Sequence, residues 1–135
     1  MRSRAKSAAF LALVIALAGS TWGGVHYYQQ KQESRRDAIA LTHGDPDRAP
    51  ELMIQYGCAG CHTIAGIRSP GGLAAQSLSD IGKRQYIGGV APNTPQNLVR
   101  WIVNPKQFSA RTAMPVTGVS ETQARRIAAY LLALR

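Results

Sequence analysis

Apolar and polar positions recur with a helical period in three places along this chain, and nowhere with the period of two that marks a half-buried strand. Ala49, Leu52, Met53 and Tyr56 follow three-and-four spacing. Asp45 as a cap and Pro46 in the first turn predict a helix from there to Gly57, with Pro50 close enough to its start to be tolerated. Thr94 and Pro95 open a second helix in the same way, striped by Leu98, Trp101 and Ile102 and stopped at Asn104-Pro105. Ser120 and Gln123 have the spacing of a capping box, after which Ala124, Ile127, Ala128, Leu131 and Leu134 line one face of a third helix. The chain between these helices is rich in turn formers from Thr63 to Gly72 and again runs as loop from Lys106 to Met114-Pro115. The expected fold class is all-α, three main helices with long loops.

The N-terminal third follows a different pattern. Arg2, Arg4 and Lys6 precede a charge-free run from Ser7 to Tyr28, most apolar between Ala8 and Ala18. Such an order directs the remainder across a bacterial inner membrane and leaves the basic end in the cytoplasm. Two fates stay open. Ala16 and Ala18 resemble the processing site of a removable signal peptide. As a helix, the 22 uncharged residues would instead span about 33 Å, enough for the hydrocarbon layer, with Trp22, Tyr27 and Tyr28 at the interface. A retained anchor is favoured, although Gly19, Ser20, Gly23 and Gly24 weaken it; His26 is read as an interfacial polar residue. From Gln29 to Gly44 the chain is polar and mixed in charge and reads as a tether, with a brief helical extension at Ala38 to Leu41 and a solvated His43. The expected organisation is residues 1–28 signal peptide or membrane anchor, 29–44 linker, and 45–135 domain.

Candidate chemistry sits at Cys58-Ala59-Gly60-Cys61-His62. A Cys-x-x-Cys pair suits a thioredoxin-like couple or half a zinc site. The first wants a strand-helix-strand setting, and the second wants another ligand pair. These are the only two cysteines, and His26 and His43 lie upstream in membrane-proximal chain. With a histidine directly after the second thiol, the stretch matches the c-type haem attachment signature: both sulfurs add to the porphyrin and His62 ligates the iron. One covalent haem c would also fill the core of a domain of about a hundred residues, which buries little apolar surface alone.

The iron needs a second axial ligand. Met114, far downstream on a loop and stiffened by Pro115, is the best candidate, while Met53 belongs to an apolar helix face. A soft thioether favours ferrous iron and raises the potential relative to two histidines. With both positions filled by protein atoms, the haem suits single-electron transfer rather than substrate binding. Leu73, Leu78 and Ile81 are candidates for packing on it, Arg84 and Tyr86 for bonding its propionates, and Lys83 for the solvated surface. The loop after His62 can offer a backbone carbonyl to the second ring nitrogen.

Charge changes the picture little. The chain carries a formal +9, but from residue 37 onward ten Lys or Arg face six acids, a net of +4. Nucleic acid is a poor partner for so modest an excess without interleaved aromatics, and an acidic redox protein a better one.

The haem stretch, together with Asn104-Pro105-Lys106-Gln107-Phe108, Thr112 and Met114, resembles the haem-binding and methionine-loop motifs of the class I cytochrome c family over roughly residues 45–135. Tyr56-Gly57 and the run from Asn93 to Trp101 are similar to small bacterial membrane-associated cytochromes c that accompany terminal oxidases or are fused to an oxidase subunit. The resemblance implies that Trp101 stands near the methionine sulfur, that Thr112 bonds a propionate, that Leu78 packs on the haem, and that the first and last helices cross. It also has departures. Ala75-Gln76-Ser77 precede Leu78 where the family has Gly-Pro, which leaves open the carbonyl that holds His62. Pro50 and Ile54 replace a usual glycine and aromatic, so Tyr56 and Tyr130 are expected to repack the crossing. The implied function is a membrane-tethered carrier on the periplasmic face of the bacterial inner membrane, or a soluble periplasmic one if the N-terminal segment is cleaved. It would take electrons from an upstream quinol-oxidising complex and pass them to a terminal oxidase. One alternative is a fixed electron-entry subunit of a larger membrane oxidoreductase. A remote one is a haem peroxidase or gas sensor, for which Met114 would have to dissociate and no distal His or Arg signal exists.

Overall fold

The stretch after Tyr28 is polar, yet it consists of strong helix formers with no glycine or proline before Gly44. In the computed structural model, which describes residues 2–68, 72 and 74–134 with side chains from residue 11 onward, that propensity carries helix α1 from Arg2 to Thr42. The expected linker is therefore corrected: helix replaces tether through Thr42. A second compact unit begins at Ser34. Within it Ala38 is fully buried and the Thr42 hydroxyl donates to the Ala38 carbonyl at 2.7 Å. The Arg125 guanidinium in turn donates to the Thr42 carbonyl at 3.1 Å. His43 ends α1 with a left-handed φ of 54°, its N–H bonded to the Ile39 carbonyl and its ring exposed. Residues up to Glu33 make a unit of their own, where the Trp22 ring stacks on His26 at 5.5 Å. Among the described residues no helix is long and apolar enough to cross a membrane. The side chains of the basic start and of residues 8–10 lie outside those described, and Gly19, Ser20, Gly23 and Gly24 dilute what remains of the run.

The three predicted helices form, with their signals working as read. Asp45 accepts from the Asp47 N–H at 3.0 Å and starts a 3-10 turn, Pro46–Arg48, which passes into α2, Ala49–Gln55, with Pro50 in its first turn where no N–H is needed. Gly57, at φ 74°, turns the chain sharply into a four-residue helix α3, Cys58–Cys61. Helix α4, Pro95–Val103, is capped by the Thr94 hydroxyl accepting from Asn97 N–H, and ends at Asn104. Helix α5, Glu121–Ala133, has both halves of the capping box in place.

One element escapes the pattern. Strands β1, Tyr86–Ile87, and β2, Ala91–Pro92, pair antiparallel, Tyr86 opposite Pro92 and Ile87 opposite Ala91. Two residues per strand are too few to show alternation. Gly88, Gly89 and Val90 connect the strands: Val90 N–H donates to the Ile87 carbonyl at 3.0 Å, and the two glycines at the centre of that turn take the left-handed backbone, φ 54° and 72°, that it requires.

Helix α5 is the centre of the packing, lying against α4 and α2. Met53, Leu98, Ile102, Ala124, Ile127, Ala128 and Leu131 are buried together. Tyr56 and Tyr130 serve this packing from either side of the sequence: the Tyr56 hydroxyl donates to Gln123 Oε1 at 3.0 Å and the Tyr130 hydroxyl to the Ala65 carbonyl at 2.8 Å. Gly44 lies directly on the α5 backbone, where a Cβ would collide with the Arg125 carbonyl.

Candidate functional site

Because α3 is a single helical turn, Cys58 and Cys61, three residues apart, share one face of it. His62 follows in extended backbone, its N–H bonded to the Cys58 carbonyl at 2.9 Å. Cys58 is half-buried and Cys61 exposed. Burial pushes the Cys58 thiol above its ordinary range, a bond to its own backbone opposes this, and the neighbouring Cys61 adds to it. The thiol is thus neutral at pH 7.

The chain that returns past α3 is stitched to it by backbone bonds. Ala75 N–H donates to the Cys61 carbonyl at 2.9 Å and Leu78 N–H to the Thr63 carbonyl at 2.8 Å. The Thr63 hydroxyl donates to the Gly72 carbonyl at 2.8 Å. Gly72 permits this approach, since a Cβ there would fall 2.7 Å from the His62 carbonyl oxygen. These contacts put the Gln76 carbonyl 2.6 Å from His62 Nδ1. A carbonyl only accepts, so Nδ1 carries the proton and Nε2 keeps its lone pair for a metal. The carbonyl left open by the missing Gly-Pro is that of Gln76. Its amide contact makes the ring a stronger, orientated donor.

A sulfur donor is held in the same cleft. The Trp101 indole donates to Met114 Sδ at 3.0 Å, and the Thr112 hydroxyl accepts from Met114 N–H at 3.2 Å. Accepting that bond leaves the Thr112 O–H free to donate elsewhere. Lys106 donates to the Thr112 carbonyl at 3.0 Å and ties the methionine loop back toward α4.

Cys58, Cys61, His62, Leu78, Arg84, Trp101, Thr112 and Met114 all line one cleft of about 500 Å³, an ordinary size for a cofactor pocket. Met53, Ile81, Ile87, Leu98, Ile127 and Leu131 contribute to its apolar wall. Arg84 is the only Arg or Lys lining it among the described residues, and its guanidinium also donates to the Ser77 carbonyl. Tyr86 is corrected. It is 58% exposed and lines no part of the cleft, because the two-residue period of β1 turns Ile87 inward and Tyr86 out. Leu73 lies outside the described residues.

Two thiols at the lip, one nitrogen and one sulfur donor, apolar walls and a single cation fit a flat apolar macrocycle with ionised carboxylates, as haem is. Among the described residues no three of His, Cys, Asp or Glu are grouped so as to hold a metal ion. Sequence reasoning left the choice of carbonyl at Ala75-Gln76-Ser77 open and missed the roles of Gly72, Gly88, Lys106 and Asn93. Asn93 donates to the Ile81 and Arg84 carbonyls at 2.7 and 2.9 Å and fixes the segment that carries Arg84. The asparagine ahead of the Thr94 cap, the paired glycines and the place of Lys106 in the Asn104-to-Phe108 motif offered a signal. The missing Gly-Pro marked the stretch that holds Gln76 but not which of its carbonyls faces the ring.

Comparison with known proteins agrees with this geometry. The family model for cytochrome c matches residues 46–135. The chain is 32% identical over 86 residues to cytochrome c oxidase subunit 2 of Alkalihalophilus pseudofirmus, a match covering 63% of this chain and 24% of that protein. It is 27% identical over 89 residues to cytochrome c oxidase subunit 2 of a Bacillus species, covering 63% and 25%. The chain thus spans about a quarter of the length of the curated relatives it matches. No solved structure matches it.

Proposed function

Since the chain belongs to the cytochrome c family, and is therefore a haem electron-transfer protein, we propose that it is a membrane-tethered, single-haem carrier whose iron is held between His62 and Met114. Bound haem c supplies a one-electron ferric/ferrous couple. The chain's own residues do the rest. Cys58 and Cys61 secure the group through thioether bonds, His62 offers Nε2 because Gln76 holds the proton at Nδ1, and Met114 offers a sulfur whose position the Trp101 N–H restrains. Arg84 and the free O–H of Thr112 bond the carboxylates. Apolar walls exclude water, which limits reorganisation when the charge on iron changes.

One observation carries the reading: the nitrogen and the sulfur in the cleft are each already committed, by a bond of 2.6 or 3.0 Å, to a fixed protein partner. The test is spectroscopic. The ferric protein should show the weak far-red band of sulfur coordination, and Met114→Ala should abolish it, keep the haem attached and open the ferrous iron to carbon monoxide. Ready carbon monoxide binding by the ferrous wild-type protein would refute the assignment.

The proposed location is the periplasmic face of the inner membrane. Leu11, Ile15, Leu17, Trp22, Val25 and Tyr27, all exposed on α1, support it by offering apolar surface that calls for cover. The intact mass of the membrane-fraction protein reports haem number and processing together; a mass lacking residues 1–18 would refute the tether. The proposed acceptor is a terminal oxidase and the donor an upstream quinol-oxidising complex, met through weak, charge-assisted docking.

The relatives favour a second reading, in which the chain is a fixed electron-entry subunit: both are named as an oxidase subunit. It predicts co-purification with a larger complex after mild detergent extraction. A protein that always runs alone refutes it.

A further inference from the structure

The turn of the β1–β2 hairpin rests against the side chain that touches the Met114 sulfur. A Cβ built on Gly88 would lie 2.5 Å from Trp101 Cη2 and 2.8 Å from Cζ2, far inside the ~3.5–4.0 Å of an ordinary carbon contact. Both atoms belong to the outer ring of the indole, and the same indole lies 5.8 Å from the Phe108 ring. Its Nε1 end makes the 3.0 Å bond to Met114 Sδ. Gly89, next along the turn, has an equally left-handed φ of 72° but nothing within 4 Å of a Cβ. The two glycines therefore share a backbone demand and differ in what they touch.

Resting on the His62/Met114 reading, we propose that Gly88 is a positioning residue for the axial sulfur: its bare α-carbon is the seat that lets the Trp101 indole deliver its N–H to Met114. A side chain at 88 pushes the outer ring away and swings Nε1 off the sulfur. The thioether then loses a hydrogen bond that draws electron density from it and a restraint that keeps it in the cleft. A richer sulfur donor stabilises ferric iron, so the potential falls. A looser one yields more readily to an added ligand.

The experiment compares Gly88→Ala, Gly89→Ala and Trp101→Phe with the wild type in the haem-loaded full chain, reading the ferric far-red band, the midpoint potential and the equilibrium affinity of the ferrous form for carbon monoxide. Gly88→Ala and Trp101→Phe should weaken the band, lower the potential and raise the carbon monoxide affinity about 10–100-fold, the usual effect of losing a ligand's supporting partner. Gly89→Ala, with the backbone strain alone, should leave all three near wild type. The double variant Gly88→Ala/Trp101→Phe should match Trp101→Phe, since phenylalanine lacks the outer ring that the new methyl strikes. If Gly88→Ala does not fold, the double variant should fold. Equal effects at 88 and 89, additive effects in the double variant, or a double variant that also fails to fold would overturn the proposal. A wild-type protein without the far-red band would overturn the His62/Met114 reading instead, so the two failures are distinct.

Discussion

Replacing Gln123 with alanine tests how the helix crossing is held. Its Oε1 accepts from the Ser120 N–H at 3.0 Å, from the Ser120 hydroxyl at 2.8 Å and from the Tyr56 hydroxyl at 3.0 Å, while its own N–H bonds Ser120 Oγ. One amide thus completes the capping box of α5 and links α5 to the end of α2, 67 residues away in sequence. Loss of the bonds that the amide takes from Ser120 costs about 1 kcal/mol, the Ser120 Oγ bond to the backbone N–H of residue 123 remaining, and loss of the half-buried bond from Tyr56 about 1 kcal/mol more. Gln123→Ala should therefore cost about 2 kcal/mol, a substantial part of a stability on the order of 5–15 kcal/mol. Ser120→Ala and Tyr56→Phe should cost about 1 kcal/mol each. Urea melts of the haem-loaded full chain, followed by haem absorbance, measure these values, with an unchanged denaturant slope showing that the unfolded state is unaltered. The Ser120→Ala/Tyr56→Phe double variant should come close to Gln123→Ala. If Gln123→Ala costs no more than Ser120→Ala alone, the amide is not joining two elements and the reasoning fails.

Gly44→Ala should destabilise by about 1–3 kcal/mol in the same melts, because the added methyl meets the Arg125 backbone, which has no flexible end to move aside; a neutral effect would show that α5 is not pressed on this segment. Burial raises the Tyr130 hydroxyl above its usual value near 10. Its contribution is complete below pH 10 and fades as pH rises, since the unfolded chain releases the proton first. Tyr130→Phe should thus lose about 1 kcal/mol at neutral pH with the bond to Ala65, yet fall less steeply than wild type above pH 10; parallel pH profiles of thermal stability would contradict this.

Local signals in this chain carried a long way. The caps at Thr94 and Ser120, the prolines at 46, 50 and 95 and the Cys-x-x-Cys-His run act within three or four residues, where backbone geometry links neighbours directly. They settled the three main helices and the all-α class, and they marked the Cys-x-x-Cys-His run. The polar stretch after Tyr28 was legible only as composition. Its helix formers carry α1 to Thr42, and within the second unit the end of that helix is buried through Ala38 and Thr42, two small residues that no stripe announced.

The sequence by itself therefore determined the helices and the chemical groups that meet in the cleft: two thiols, an imidazole and a distant thioether. Tertiary structure decided how those donors are held. The Gln76 carbonyl reaches His62 across 14 residues; the Trp101 N–H reaches Met114 across 13, a neighbourhood that the family resemblance had implied and whose bond the fold supplies. Every residue owns a carbonyl, so nothing in the residue names marks the one that will be aimed at the ring. The same holds for the inward turn of Ile87 over Tyr86 and for the bare approach of Gly88 to the indole. Such choices depend on which backbones close packing brings within 3 Å, and that is a property of the assembled fold rather than of any short stretch within it.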